Sequence, residues 1–353
     1  MGLFLFLYAL KISFAPYFLE FRHPFGLSHS SRTQTPTVYV KIEKNGKTGY
    51  GEATLPPYLG ETQESVIQFL KLAAPVVQTI DTDLNKIPLL DEPAPKNSAA
   101  KAALDIALHD LIGKLENKPV YELLGFPKPN PKETSVTIGI GDLSLIPQKL
   151  EELKDFHLIK VKLGNPNDRE IIDTIRKHTL KPLAVDVNEG WPEKHFALEM
   201  IGWLAQRNTV YVEQPLAKEN LSDAQWLKEK SQLPILGDES FQRLADLDNV
   251  NEAYSGINLK LMKCTGLGEG AQIIAEARRK GLKINIGCMS ESSCGIAAAA
   301  QLMQQADWID LDGPMLIKND PFGGVTFLDG KLQISYVPGT GAALKKDLQF
   351  QSL

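Results

Sequence analysis

Residues that can carry acid–base or metal chemistry follow apolar, β-like runs at six places in the chain. They lie at residues 160–162, 186–188, 213–215, 237–240, 258–260 and 310–312. Carboxylates and lysines are seldom buried without partners, so packing alone does not explain why they end so many apolar strands. Because alternate side chains of a strand share a face, Lys160 and Lys162 are predicted to lie side by side, as are Asp310 and Asp312. The pattern indicates one catalytic site.

Eight apolar runs position those residues. The runs cover residues 135–140, 158–164, 182–188, 209–215, 234–239, 256–263, 283–289 and 308–312. Helical periodicity separates several of them, for example at 168–178, 195–207 and 268–280. Strands that alternate with helices form parallel βαβ units, so the pattern predicts an α/β fold that closes into a (β/α)-barrel. In such barrels the chemistry lies where the strands end.

A smaller unit precedes the barrel pattern. Strand-like alternation runs from about residue 10 to 52 with a turn at 44–47, and helical periodicity follows at 62–78 and 98–115. We therefore predict an N-terminal α+β domain over residues 1–128 and a barrel domain over 129–320. A C-terminal segment, 321–353, is expected to fold back on the first domain.

Composition excludes several classes of protein. The 353 residues, of which 43% are hydrophobic, are enough for a barrel and a second domain. The net charge of −5 and the absence of a lysine or arginine block argue against a nucleic-acid partner. A small-molecule substrate fits better than a nucleic acid or a membrane. Three cysteines, Cys264, Cys288 and Cys294, lack metal-ligand spacing and indicate reduced thiols in a cytoplasmic protein.

The first ten residues, MGLFLFLYAL, are apolar enough to suggest a secretory signal or a membrane anchor. They lack a basic n-region and a clear cleavage site, and Lys11 interrupts them far short of a spanning length. A signal, a β-strand and a start codon assigned too far upstream all remain open for this segment.

Asp186, Glu213 and Asp238 end the third, fourth and fifth runs, which are neighbours in a barrel. Three converging carboxylates repel one another unless a cation lies between them. An all-oxygen set suits Mg²⁺, with Mn²⁺ as an alternative, and does not suit zinc, which favours His or Cys. The sequence predicts a magnesium site here. The simpler alternative is that each carboxylate merely ends a strand at the surface.

Lys162 ends the second run and Lys260 the sixth, and these strands lie opposite each other in an eight-stranded barrel. Each amine can then reach one face of a planar intermediate, which is the arrangement for racemisation or epimerisation. A lysine base must be neutral, and burial together with the charges of Lys160 and Mg²⁺ is expected to lower its pKa. Lys263 is a competitor, but strand alternation predicts that it points to the other face. The alternative for each lysine is a structural ion pair.

Asp310 and Asp312 end the eighth run, across the barrel from Glu213. Two carboxylates away from the metal invite a cationic group on the substrate. A dipeptide meets all these demands, with a carboxylate for the metal, an acidic carbon between the lysines and an ammonium for the aspartates. The alternative is that both aspartates cap the loop that begins at Gly313.

These motifs resemble the enolase superfamily, muconate-lactonizing subgroup, and most closely its dipeptide epimerases of the L-Ala-D/L-Glu type. The matching residues are the Lys-x-Lys of 160–162, the carboxylates Asp186, Glu213 and Asp238, and the Asn-Leu-Lys of 258–260. The resemblance covers nearly the whole chain from about residue 10. It implies a modified TIM barrel of the (β/α)7β type, capped by the N-terminal α+β domain.

The resemblance also implies a reaction. It is Mg²⁺-dependent epimerisation at the α-carbon of the dipeptide's C-terminal residue, by two-base 1,1-proton transfer through an ene-diolate. Lys160 adds positive charge near the substrate carboxylate, and the Asp310-x-Asp312 segment binds the substrate ammonium. Arg32 falls where L-Ala-D/L-Glu epimerases carry an arginine on a mobile loop, which meets the glutamate side chain. Three further residues are predicted to line the pocket: Thr137, Cys288 and Ser290.

Several alternatives remain open from the sequence. The same scaffold supports cycloisomerases, o-succinylbenzoate synthases and N-acylamino-acid racemases, but their substrates lack the free ammonium that Asp310 and Asp312 ask for. A non-catalytic peptide-binding barrel has no need of the opposed Lys162 and Lys260. The family suggests a role in peptidoglycan peptide metabolism, while the physiological dipeptide and a homo-oligomeric state stay open.

Overall fold

The computed structural model describes residues 9–27, 30–139 and 141–353, and for residues 25–27, 30 and 31 the backbone alone. Residues 1–8, which hold most of the segment left open between a signal, a strand and an early start, lie outside this description. Among the residues that are described, no helix is both long and apolar enough to cross a membrane.

The strands are numbered in chain order. They are β1 (Lys11–Leu27), β2 (Ser30–Lys44), β3 (Lys47–Thr54), β4 (Lys132–Glu133), β5 (Ser135–Ile138), β6 (Leu158–Lys162), β7 (Leu183–Asp186), β8 (Thr209–Glu213), β9 (Ile235–Gly237), β10 (Gly256–Leu259), β11 (Lys283–Gly287), β12 (Trp308–Asp310), β13 (Phe322–Gly323), β14 (Val325–Leu328), β15 (Lys331–Ile334), β16 (Ala343–Leu344) and β17 (Gln351–Ser352).

The helices follow the same scheme. They are α1 (Gln63–Ile80), α2 (Ser98–Glu116), α3 (Val120–Leu123), α4 (Ile146–Glu152), α5 (Asp168–His178), α6 (Lys194–Ala205), α7 (Leu221–Lys230), α8 (Leu247–Ala253), α9 (Leu267–Arg279), α10 (Ser293–Ala299) and α11 (Gly313–Leu316). Short 3₁₀ helices cover Pro57–Leu59, Leu84–Asp91, Leu143–Leu145, Leu244–Asp246 and Ala300–Gln305.

An antiparallel sheet with strand order β17-β1-β2-β3 carries α1 and α2 as a cap over the barrel. α1 begins where the sequence predicts, because Thr62 and Ser65 form a capping box in which each side chain accepts a bond from the other's backbone N–H. α2 packs closely on β3, since a Cβ added at Gly51 would stand only 1.9 Å from the carbonyl oxygen of Ala103. Glycine on the strand therefore admits the helix backbone.

The β1–β2 hairpin extends further than the sequence suggests. The resemblance implies a loop that carries Arg32, but the backbone pairs Phe25 with Arg32 and Gly26 with Ser31 in antiparallel register. A register shift between Glu20 and Phe25 precedes this pairing, so the hairpin continues beyond an irregularity instead of opening into a loop. Arg32 is therefore a strand residue.

The barrel prediction is confirmed. Strands β5 to β12 form one parallel sheet in sequence order, and seven of them are followed by a helix, α4 to α10. Only the one-turn helix α11 follows β12, which gives the (β/α)7β arrangement. The apolar alternate residues of these strands, such as Ile159, Val161 and Val185, are buried against the surrounding helices.

Side chains join the first and last barrel strands. The amide of Leu311 donates to the hydroxyl of Thr134 at 2.9 Å, and Ser135 donates to Asp310 at 2.6 Å. The amide of Thr137 donates to Asp312 at 2.7 Å. We call this set of three bonds the closure seam. It lies at the ends of β5 and β12, so the aspartates of the predicted site also hold the barrel together.

The C-terminal segment contacts both parts of the chain. β14 and β15 form a hairpin that pairs with β4, while β17 pairs with β1 through Ser13 with Ser352 and Phe14 with Gln351. The last strand thus completes the capping sheet. The boundaries of the predicted domains, 1–128, 129–320 and 321–353, stay predictions.

A buried pair of carboxyl groups joins the cap to the barrel. Glu52 on β3 accepts hydrogen bonds from the Ser292 amide at 2.9 Å, the Ser292 hydroxyl at 2.5 Å and the Gly295 amide at 2.8 Å. Glu291 lies beside it, with Oε1 bonded to the Met289 amide and Oε2 without a partner among the described residues. Burial, reinforced by Glu52, raises the pKa of Glu291 to about 8. The pair therefore keeps a proton at neutral pH.

We expect Glu291 to make the stability of the protein depend on pH. The unfolded chain ionises near the ordinary value of 4.5, whereas the folded protein keeps the proton until about pH 8. Stability should therefore be greatest below the unfolded value and fall as pH rises through this window, by at most about 1.4 kcal/mol per pH unit for one proton. Urea unfolding of Glu291→Gln should show a shallower fall.

The exposed Glu229 supplies the matched control, because its carboxyl group lies on the surface of α7. Glu229→Gln should keep the pH dependence of the wild type. An unchanged pH dependence in Glu291→Gln would contradict the buried-proton interpretation.

Candidate active site

Three carboxylates meet where the barrel strands end. Asp186 and Glu213 are the last residues of β7 and β8 and are paired in register, and Asp238 directly follows β9. One oxygen of each lies within 4.8 Å of the others, and all three side chains are buried. The structure thus brings the predicted metal ligands together as an all-oxygen set.

Lys162 and Lys260 reach this carboxylate triad from opposite ends. The Nζ atom of Lys162 lies 2.6 Å from Asp186 Oδ2, whereas that of Lys260 lies 2.7 Å from Asp238 Oδ2. Lys162 belongs to β6, four strands away from β10, at whose end Lys260 lies. Both ammonium groups also face the same cavity. The opposed arrangement expected from the strand order is therefore present.

Lys160 lies at the centre of the charged cluster. Its Nζ atom contacts Asp310 Oδ2 at 2.7 Å, Glu213 Oε2 at 2.9 Å and Asp186 Oδ2 at 3.1 Å. Burial alone would lower the pKa of Lys160, but these carboxylates outweigh it and raise that pKa well above the usual value. Lys160 is thus a fixed positive charge between the triad and the far wall of the barrel.

The carboxylates of the triad differ in their affinity for protons. Burial raises the pKa of Asp186 and of Asp238, but the neighbouring ammonium groups outweigh it and hold both values well below the usual range. For Glu213, burial and the charge of Asp186 raise the pKa to about 8. The third carboxyl group therefore holds a proton at neutral pH. A divalent cation replaces such a proton favourably, so the donor set fits Mg²⁺.

Lowering the pKa of the lysine base requires the same cation. Burial lowers the pKa of Lys260, but the negative charge of Asp238, 2.7 Å away, outweighs it and raises that pKa well above the usual value. The protein's own groups therefore do not produce the lowered pKa that the sequence analysis expects. A cation that neutralises the carboxylates removes the main interaction that keeps Lys260 protonated.

The prediction that Lys263 points away from the site is wrong. β10 ends at Leu259 and the chain then turns, so strand alternation does not apply to Lys263. Its Nζ atom donates to Asp238 Oδ1 at 2.5 Å, to the Asp238 carbonyl at 2.6 Å and to the Asn258 carbonyl at 3.1 Å. These bonds use all three ammonium protons. Lys263 therefore holds Asp238 in place and has no donor left for a substrate.

Asp310 and Asp312 form the far wall. Asp310 accepts bonds from Ser135 and Lys160, and Asp312 accepts the amide of Thr137. Burial and the charge of Asp310 raise the pKa of Asp312 to about 7. Lys160 is thus the one ammonium bonded to this pair in the described chain. A second ammonium beside Asp312 would be favourable.

A cavity of about 70 Å³ lies between the two lysines and the far wall. Ten of the predicted site residues line it, namely Arg32, Thr137, Lys160, Lys162, Asp238, Lys260, Cys288, Ser290, Asp310 and Asp312. Asp186 and Glu213 are fully buried beneath it. The structure brings all twelve residues to one place, while their individual roles stay predictions.

Arg32 enters this cavity from the capping sheet. Its Nη1 atom lies 3.4 Å from the Thr35 hydroxyl, and its buried Nε atom has no hydrogen-bond partner among the described residues. Burial lowers the pKa of the guanidinium. A buried guanidinium with an unused donor favours an anionic group of a ligand.

Six further residues line the cavity, namely Pro56, Tyr58, Asn188, Glu239, Met289 and Leu316. Asn188 accepts a bond from Lys162 at 3.1 Å and donates to Glu239 at 3.0 Å. Both directly follow strand ends, which is the signal that could have identified them. The hydroxyl of Tyr58, from the cap, donates to Met289 at 2.7 Å.

Comparison with known proteins agrees with this geometry. Residues 15–125 match the mandelate racemase/muconate lactonizing enzyme N-terminal domain, and residues 147–348 match the enolase C-terminal domain-like family. The chain belongs to the enolase superfamily. The family assigned from the sequence motifs is thereby confirmed, and both of its characteristic domains are present.

Curated relatives in this family include epimerases. The chain is 46% identical to the L-Ala-D/L-Glu epimerase of Bacteroides thetaiotaomicron, over 94% of this chain and 87% of the relative. It is 36% identical to an L-Ala-D/L-amino acid epimerase of a Maribacter species, over 96% and 100% of the two chains.

Solved structures give the same picture. The dipeptide epimerase of Cytophaga hutchinsonii, complexed with Mg and D-Ala-L-Val, superimposes with a TM-score of 0.91 at 26% identity and covers 98% of this chain and 99% of its own. The substrate-liganded L-Ala-D/L-Glu epimerase of Bacillus subtilis gives a TM-score of 0.88 at 26% identity, over 96% and 100% of the chains.

Proposed function

We propose that this protein is a Mg²⁺-dependent isomerase that epimerises a dipeptide, L-Ala-D/L-Glu, at the α-carbon of its C-terminal residue. The observation that carries the proposal is the position of Lys162 and Lys260 at opposite ends of a buried carboxylate triad. Relatives that match nearly the whole chain include an L-Ala-D/L-Glu epimerase and an L-Ala-D/L-amino acid epimerase, which supports the same conclusion.

Asp186, Glu213 and Asp238 are the residues that would hold Mg²⁺, with Mn²⁺ as an alternative of similar coordination preference. When bound, the cation acts as a Lewis acid for the negative charge that develops on the substrate carboxylate as the α-proton leaves. The carboxylates are fixed before any ligand arrives, because Lys162, Lys160, Lys263 and Asn258 each donate to one of them.

Two lysines carry out the proton transfer, one by removing a proton and the other by returning one. In one direction Lys162, as the neutral amine, takes the α-proton from one face of the carbon, and Lys260, as the ammonium, returns a proton to the other face. In the reverse direction the roles exchange. The reaction therefore needs one lysine neutral and one protonated, and each substrate epimer meets the enzyme in one of the two states.

The remaining groups position the dipeptide. Asp310 and Asp312 would bind its ammonium, since the hydrogen bonds of Asp312 within the described residues come from Thr137, without any ammonium, and its pKa of about 7 falls when a cation binds beside it. Arg32 would bind the side-chain carboxylate of a C-terminal glutamate through its unused donor. The cap, through Tyr58 and Arg32, would exclude water from the reacting carbon.

We place this activity in peptidoglycan peptide metabolism, as the family resemblance suggests, and in the cytoplasm. The three cysteines support a reducing compartment, since Cys264, Cys288 and Cys294 are all free thiols.

Mg²⁺ binding is expected to raise the Tm of the wild type and to become tighter as pH rises towards 8. A proton on Glu213, whose pKa is about 8, competes with the cation, so affinity should rise about tenfold per pH unit below that value. Glu213→Gln should lose the Mg²⁺-dependent shift, whereas the surface variant Glu229→Gln should keep it. Full turnover after exhaustive chelation would refute the metal requirement.

Each catalytic lysine is expected to remove the α-proton of one substrate epimer. Lys162→Ala and Lys260→Ala should each lower epimerisation by about a thousandfold or more, because neither leaves an alternative proton carrier on that face. In D₂O, each variant should still exchange the α-proton of one epimer, and the two variants should select opposite epimers. Exchange can be followed by proton NMR.

The exposed Lys71 on α1 provides the control for this experiment, and Lys71→Ala should epimerise like the wild type. Near-normal epimerisation by either active-site variant would show that its lysine is not a base.

Arg32 is expected to determine the preference for an acidic C-terminal residue. Arg32→Met should reduce kcat/KM for L-Ala-L-Glu at least about tenfold more than for L-Ala-L-Ala, because only the first substrate presents a second carboxylate. Arg279→Met, which alters an exposed ion pair with Glu276, should change neither value. A wild-type preference for neutral or cationic C-terminal residues would refute the role of Arg32 and leave the epimerase proposal intact.

A further inference from the structure

A second cavity adjoins the active site. It has a volume of about 460 Å³, compared with about 70 Å³ for the cavity between the lysines. Thr137 and Leu316 line both cavities and thus form their common border. Binding sites for small molecules usually measure roughly 300–1,000 Å³, so the smaller cavity alone offers little room for a dipeptide. A dipeptide therefore needs space beyond the smaller cavity.

The larger cavity is mainly apolar. Its walls come from the end of α4, from α11 and from β14, and the apolar side chains are Val136, Leu153, Met315, Leu316, Val325 and Phe327. β1 covers one side through Arg22, His23 and Pro24. An aliphatic or aromatic group of a ligand would therefore be transferred from water to an apolar surface here.

One half-buried charge in this cavity makes no direct ion pair within the described residues. Lys149 on α4 is half-buried, and its Nζ atom makes no ion pair and no hydrogen bond within the described residues. Glu152, which also lines the cavity, and Asp142 interact electrostatically with Lys149, but neither lies within ion-pair distance of its Nζ atom, and Glu152 contacts His23 at 3.8 Å. The residues outside the description, and those described only by their backbone, include no Asp or Glu. Lys149 is therefore available to an anion.

The position of the border between the two cavities indicates which part of the substrate lies near the second cavity. The amide of Thr137 donates to Asp312 at 2.7 Å, so the border is beside the carboxylate to which we assign the substrate ammonium. The ammonium of a dipeptide is attached to the α-carbon of its N-terminal residue. The side chain of that residue is therefore the group closest to the second cavity.

We propose that this cavity is a subsite for the side chain of the N-terminal residue, and that it favours a long side chain with a terminal carboxylate. The inference rests on the proposed epimerase function and extends its substrate range from an N-terminal alanine to glutamate. The apolar walls contact the methylene groups, and Lys149, with Arg22 at the opening, binds the carboxylate.

The test compares L-Glu-L-Glu with L-Gln-L-Glu, which have the same shape and differ in one charge. The wild type is expected to turn over both, and kcat/KM should be about tenfold higher for L-Glu-L-Glu. Lys149→Met should abolish that difference. Lys154→Met removes an exposed lysine that pairs with Glu151 and should preserve the difference.

A second variant tests the space independently of the charge. Leu153→Trp places a larger side chain in the cavity, so kcat/KM for L-Gln-L-Glu should fall about tenfold more than for L-Ala-L-Glu. Equal losses for the two substrates would overturn the subsite.

Two results separate this inference from the proposed function. If L-Ala-L-Glu is epimerised but both longer dipeptides are more than about a hundredfold slower, the subsite is refuted and the epimerase stands. The subsite is also refuted if the preference for L-Glu-L-Glu over L-Gln-L-Glu is absent or survives in Lys149→Met. If no dipeptide is epimerised, both proposals fail together.

Discussion

The balance of buried charge at the ends of the barrel strands is the constraint on which the rest of this structure depends. Asp186, Glu213 and Asp238 are removed from water, and each is tied to an amine or an amide of the protein. Buried charges are costly unless they are paired, and with Asp310 and Asp312 the five buried acids of the site outnumber its four buried lysines. The raised pKa of Glu213 expresses that surplus. The same surplus makes the site receptive to a divalent cation.

The fold supplies the charges in a fixed order. Parallel strands in sequence order bring Lys162, Asp186 and Glu213 into adjacent register positions, so the acids of neighbouring strands lie side by side with an amine next to them. The capping domain adds what the barrel lacks, an arginine and a tyrosine over the opening. Its attachment through Glu52 to Ser292 keeps these side chains close to the barrel strands.

The sequence predicts most of this arrangement because the barrel is highly regular. Alternation of strand and helix gives the fold class, and the polar residue after each apolar run gives the site, as Asp186 and Lys162 illustrate. Prediction fails where regularity ends. Lys263 lies beyond β10, where the chain turns and side chains no longer alternate between two faces. The hairpin around Arg32 continues as strand where a loop was expected.

Other features depend on distances that no local pattern encodes. The pairing of Glu52 with Glu291 joins residues far apart in the chain, and its retained proton follows from burial, which a single sequence does not reveal. Lys149 is similar, since its lack of a direct ion pair within the described residues depends on where Glu152 and Asp142 lie in three dimensions.

The closure seam has a consequence for how such a chain can diverge. Asp310 and Asp312 face the substrate cavity and also connect β12 to β5, so a mutation that alters substrate choice at this wall also loosens the barrel. The bond from Leu311 to Thr134 is the part of the seam that does not involve them. New specificities can therefore be acquired more readily on the cap, where Arg32 and Tyr58 carry no part of the closure, than on the wall that binds the ammonium.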